Sequence, residues 1–85
     1  MRVEKVNGRY LLCGVILKPD QVKAGQTWAA ADGSNHTVTI ESGGAWVDYS
    51  WYENGKKRLH TKMSFAFQCR YCLVLDSEEL PEELV

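Results

Sequence analysis

Two runs of alternating residues meet at Asn54-Gly55, and no other stretch of this 85-residue chain constrains its fold as strongly. Residues 45–63 read AWVDYSWYENGKKRLHTKM. Asn and Gly both tolerate positive φ, so the pair marks a hairpin turn between two strands. Side chains alternate along a strand, so Val47, Tyr49 and Trp51 share one face, and Trp46, Asp48, Ser50 and Tyr52 the other. A two-residue loop at Asn54-Gly55 sets Tyr49 opposite His60 and Val47 opposite Lys62, with basic groups on the apolar face. A three-residue loop, Asn54-Gly55-Lys56, with Gly55 left-handed, sets Trp51 opposite Leu59, Tyr49 opposite Thr61 and Val47 opposite Met63. On its other face Asp48 meets Lys62, Ser50 meets His60 and Tyr52 meets Arg58. Cross-strand pairs contribute roughly 0.2–1 kcal/mol each, and a one-residue slip turns every side chain over. The three-residue loop gathers the apolar residues and pairs opposite charges, so it is the expected register.

The rest of the chain supplies short strands to go with this hairpin. Residues 2–6 and 9–17 suggest a first hairpin across Asn7-Gly8, with Gly14 allowing a bulge or a close backbone approach. Pro19 can open a helical turn to Lys23, and Gly25 closes a turn after it. Gln26 to Ala31 forms the next strand, anchored by Trp28. Asp32-Gly33-Ser34 then returns the chain so that Trp28 faces Val38. From Asn35 to Glu41, His36, Val38 and Ile40 point one way, and Thr37, Thr39 and Glu41 the other. A turn at Ser42-Gly43-Gly44 keeps Val38 and Ile40 on the face of Val47. Ser64 is the expected N-cap of a helical turn over Phe65 to Gln68, and Arg70 to Leu75 the last strand.

Length and spacing make this one domain over 1–75, in which residues 1–20 form an N-terminal hairpin extension. Five to seven short strands with turn signals about every ten residues predict an all-β, mainly antiparallel small barrel. One short helical turn precedes its last strand. Charge divides the chain. All ten Lys and Arg lie in residues 1–75 against six acids, leaving that body at +4. The tail from Asp76 onward holds five acids and no base, and is expected to be flexible. No run approaches the roughly 18 apolar residues of a membrane span, and MRVEKVNGRY lacks the apolar region of a signal peptide. An odd number of cysteines, three, suits a reducing compartment better than a disulfide framework. A soluble, cytoplasmic protein is the expectation.

Several stretches together carry a resemblance: VKAGQTW (Val22–Trp28), Asp32-Gly33, VTI (Val38–Ile40), WVDY (Trp46–Tyr49) and SFAFQCRYCLV (Ser64–Val74). Over residues 22–74 the chain resembles the small SH3-like barrel proteins encoded by temperate phages and prophages. The resemblance implies a compact SH3-like barrel with a short helical turn before the last strand, and no catalytic residue. The first twenty residues lie outside it.

The candidate sites are few. Cys69-Arg70-Tyr71-Cys72 has the spacing of half a zinc site, but a zinc site needs four converging ligands. Cys13, His36 and His60 offer no second close pair, so no metal is expected, and one cysteine should be core and the other partly exposed. His36 belongs at the edge of the core, and His60 outward between Arg58 and Lys62. No phosphate-binding loop is present, and no cofactor is called for. In the expected register the outward hairpin face carries Trp46, Tyr52, Arg58, His60 and Lys62, with Thr37 and Thr39 beside it. Trp, Tyr and Arg dominate protein–protein hot spots, while aromatics beside bases also suit single-stranded nucleic acid. The expectation is a non-enzymatic binding module that contacts a host or phage protein and modulates a host or defence pathway. A nucleic-acid-binding barrel is the alternative.

Overall fold

A computed structural model describes residues 2–6, 9–14, 16–34 and 36–75. The chain forms β1 (Arg2–Val6), β2 (Arg9–Cys13), a 3-10 turn (Pro19–Gln21), β3 (Thr27–Ala30) and β4 (Thr37–Ser42). It continues through β5 (Trp46–Glu53), β6 (Lys56–Met63), α1 (Ser64–Arg70) and β7 (Tyr71–Leu75). The seven strands make a single antiparallel sheet in the order β1-β2-β7-β3-β4-β5-β6. The described residues are therefore all-β with one short α-helix, immediately before β7. The sheet is not closed, and β1 and β6 are its edges. The N-terminal hairpin joins the sheet through β2, whose Leu12 lies opposite Leu73 of β7. Its Asn7-Gly8 turn, and the acidic tail, lie outside the described residues.

Strand alternation sorts the core. Trp28, Val38, Ile40, Val47 and Tyr49 are buried together, and Trp28 faces Val38 as its spacing predicts. Gly43 then has a specific task. A Cβ there would lie 1.6 Å from the Val22 carbonyl oxygen, so only glycine lets the turn into β5 pass.

Helix α1 seals the core from one side. Phe67 is fully buried, stacked on Tyr71 at 4.7 Å, tilted to Tyr49 at 4.8 Å and edge-on to Trp28 at 5.2 Å. Burial, with Tyr71 beside it, pushes the Tyr49 hydroxyl up to about 12. Ser64 begins the helix rather than capping it through its side chain; Met63 takes the cap position. Buried Gln68 donates from Nε2 to Ser64 Oγ (3.0 Å) and to the Leu17 carbonyl (3.1 Å), and its Oε1 accepts the Leu17 N–H (2.6 Å). A side-chain amide thus replaces a strand as partner for the segment after β2.

Two expectations need correction. Asn54 and Gly55 both take positive φ, 53° and 78°, which defines a two-residue type I′ turn. The resulting register sets Trp51 opposite Arg58, Tyr49 opposite His60 and Val47 opposite Lys62. The three-residue loop is not adopted. Its advantage was to keep bases off the apolar face, but β6 is an edge strand, so Arg58 and His60 stay exposed there. With no burial penalty to avoid, the twist-matched turn decides the register.

The cysteines are the second correction. Cys13 at the end of β2 and Cys72 in β7 are joined by a disulfide across a Cα separation of 4.7 Å. That separation suits such a bridge. Cys69 is free and exposed on α1. One cysteine of the Cys69–Cys72 pair is buried and the other exposed, as expected, but the buried one is bridged.

Phe67→Ala is expected to lower stability by about 3–5 kcal/mol, because three aromatic rings lose their common neighbour. Thermal denaturation checks it, at roughly 4–8 °C per kcal/mol for a domain of this size. Alkylation of the native protein should label Cys69 alone, and all three cysteines only after reduction and unfolding. Reduction should lower stability by about 2–4 kcal/mol, since the bridge spans 59 residues of chain.

Candidate functional site

The register divides the five residues that the sequence groups together. Trp46 and Tyr52 stand on the outer face of β5, away from the core. Arg58, His60 and Lys62 alternate to the opposite side of β6, in line with Trp51, Tyr49 and Val47. Their places on the outer face are taken by Lys57, Leu59, Thr61 and Met63. Leu59 and Met63, assigned by the three-residue loop to the apolar inner face, are 64% and 55% exposed.

The outer face has apolar ends and a polar middle. At one end Trp46, 61% exposed, lies opposite Met63. At the other, about 20 Å along the strand, Tyr52 is 74% exposed and lies opposite Lys57. Leu59 sits between them, opposite buried Ser50.

Hydrogen bonds hold the polar middle in one arrangement. A bulge after Ile40 interrupts the pairing of β4 with β5, next to Glu41 and Ser42. Glu41 accepts from Ser50 Oγ at 2.6 Å and from Lys57 Nζ at 3.3 Å. Asp48 accepts from Ser42 Oγ at 2.8 Å and from the Thr61 hydroxyl. The Asp48–Lys62 pair expected from the three-residue loop does not form. The Ser50 and Lys57 bonds hold the Glu41 carboxyl below its ordinary range, and the Thr61 and Ser42 bonds do the same for Asp48.

The inner side of β6 has a different character. The His60 ring is edge-on to Tyr49 at 5.7 Å. Half-buried His36 meets Trp51 edge-on at 5.6 Å, at the core margin where its spacing places it. Lys62 reaches an open hollow lined also by His36, Arg70, Cys69, Asp32 and Tyr71. Among the described residues Arg58, His60 and Lys62 carry no salt bridge.

The Cys72 sulfur is committed to Cys13, and no group of three or more metal-ligating side chains forms among the described residues. No helix among them is long and apolar enough to cross a membrane. What the sequence missed is that Leu59 and Met63 share the outer face with Trp46 and Tyr52, and the signal for it was the Asn54-Gly55 dipeptide itself.

Glu41 and Asp48 are more acidic folded than unfolded, so they favour the folded state above the ordinary carboxylate range. That contribution is lost as pH falls through their folded pKa values. The melting temperature should therefore fall on acidification below about pH 4. In Ser42→Ala/Thr61→Val the acid limb should be shallower, which thermal scans at stepped pH would show. Comparison with protein-family models, with curated proteins and with solved structures finds no match for this chain.

Proposed function

We propose that this chain is a non-enzymatic binding module that contacts another protein through the outer face of β5 and β6. One observation carries the proposal: Trp46, Tyr52, Leu59 and Met63 stand in solvent on one side of a hairpin fixed by its turn and its polar ladder. A hairpin held in place by its turn and polar ladder loses little backbone entropy on binding, and aromatic anchors contribute most to protein contacts. The ordered acids and hydroxyls between them supply directional hydrogen bonds. The small SH3-like barrels of temperate phages remain the family that the motifs suggest. On that reading the partner is a host or phage protein, and binding modulates a host or defence pathway.

Single-stranded nucleic acid is the second reading, and a separate observation favours it. Arg58, His60 and Lys62 line the inner side of β6 beside Trp51, with His36 and Arg70 near Lys62. Cations that follow phosphates beside rings that stack on bases are the parts of such a site. Against it, Trp46 and Tyr52 face away from these bases.

The test uses the purified protein to capture a partner from host lysate with and without nuclease, followed by identification and titration of the purified partner. Trp46→Ala and Tyr52→Ala should each weaken the complex by about 1–3 kcal/mol, with folding intact by near-UV circular dichroism. Arg58→Ala/Lys62→Ala should weaken it less than either aromatic variant does. Capture abolished by nuclease, and by the Arg58/Lys62 variant rather than the aromatic ones, would replace protein with nucleic acid.

A further inference from the structure

We infer that the free edge of β6 is a strand-addition site for an extended partner segment whose residues alternate between acidic and apolar. The inference rests on reading the chain as a protein-binding module, and it names the chemistry of the partner.

The backbone comes first. Among the described residues β6 ends the sheet, and it is eight residues long. Its hydrogen-bonding phase is known, because Ser64 N–H donates to the Ala45 carbonyl at 2.9 Å, one step beyond the Trp46–Met63 pair. In an antiparallel ladder, hydrogen-bonded and non-hydrogen-bonded pairs alternate. Lys62, His60, Arg58 and Lys56 therefore bond to β5, as the type I′ turn also requires. Lys57, Leu59, Thr61 and Met63 direct their N–H and C=O groups away from the sheet. Seven of the eight residues of β6 are exposed and Lys62 is half-buried, so a further strand has room to pair.

The side chains then specify what that strand must be. β6 contains five bases, Lys56, Lys57, Arg58, His60 and Lys62, and no acid. Arg58, His60 and Lys62 share the inner side and carry no salt bridge among the described residues. An added strand would place every second side chain beside them, where carboxylates complement the charge. Its intervening side chains would fall on the outer side, beside Leu59 and Met63, where apolar groups extend the exposed patch. Opposite chemistry on the two sides of one strand calls for strict alternation in the segment that joins it.

Basic residues on an edge strand also guard against aggregation. Here the two roles agree. Pairing β6 with a second copy of itself brings base against base, whereas the same charges attract an acidic strand. Strand addition supplies affinity through the backbone and selectivity through alternate side chains.

The probe is a capped seven-residue peptide of alternating glutamate and valine, added to the intact protein. Controls are the lysine–valine counterpart, a peptide of the same composition with its glutamates in one block, and oligothymidylate. The alternating acidic peptide should bind saturably, and salt should weaken it. On binding, amide hydrogen exchange should slow at Lys57, Leu59, Thr61 and Met63, with no change at Arg58, His60 and Lys62. Thr61→Pro removes one outward donor without breaking the ladder to β5 and should weaken binding about tenfold, whereas Thr61→Ser, which keeps that N–H and the hydroxyl on Asp48, should bind like the wild type. The exchange pattern is read on the wild-type protein and decides the matter even if the proline variant fails to fold.

Absent binding, slowing without the alternation, equal binding of the block peptide, or preferential binding of oligothymidylate with the four amides unprotected would each overturn the proposal. Trp46→Ala separates this failure from that of the wider reading. Loss of the partner complex in that variant, with no peptide bound to wild type, sinks the edge site and leaves the outer face standing.

Discussion

The fold depends on one side chain that comes from outside the sheet. Phe67 arrives on α1 and meets Trp28 of β3, Tyr49 of β5 and Tyr71 of β7, so three strands of the sheet share a single ring. A sheet of this size cannot cover its own apolar face, and an open one has no second wall. The helix supplies that wall with only seven residues. Gln68, its next residue, binds both backbone groups of Leu17 and keeps the chain after β2 against the same helix. Packing and polar satisfaction thus converge on two consecutive residues.

How much of this the sequence disclosed depended on the kind of signal. Alternation placed Val38, Ile40 and Val47 in the core, and the Asp32-Gly33 turn set Trp28 against Val38. Those positions were legible because burial enforces a period of two. The hairpin register was not, because two physical terms disagreed. Cross-strand pairing favoured one loop and turn twist the other, and β6 lies at the sheet edge, where the pairing term has least force. The mutual position of Cys13 and Cys72 was hidden for another reason. Their contact follows from β2 pairing with β7, a long-range choice that no local pattern encodes.

The same one-residue difference reorganises the candidate binding surface. A mixed aromatic and basic face becomes two faces of distinct chemistry, with Trp46, Tyr52, Leu59 and Met63 outside and Arg58, His60 and Lys62 inside. Between them runs a strand edge that belongs to neither. A partner that reads both sides at once must be extended and must alternate, so recognition is coupled to backbone conformation as well as to composition.

The Cys13–Cys72 bridge closes a covalent ring that contains β3, β4, β5, β6 and α1 together with every turn between them. A single cut anywhere in that ring, including at the exposed Asn54-Gly55 turn, leaves one covalently connected molecule. The exposed hairpin can therefore be nicked without releasing either half. Only a reductant would separate the two fragments, and the molecule's integrity after proteolysis becomes a property of its sulfur chemistry.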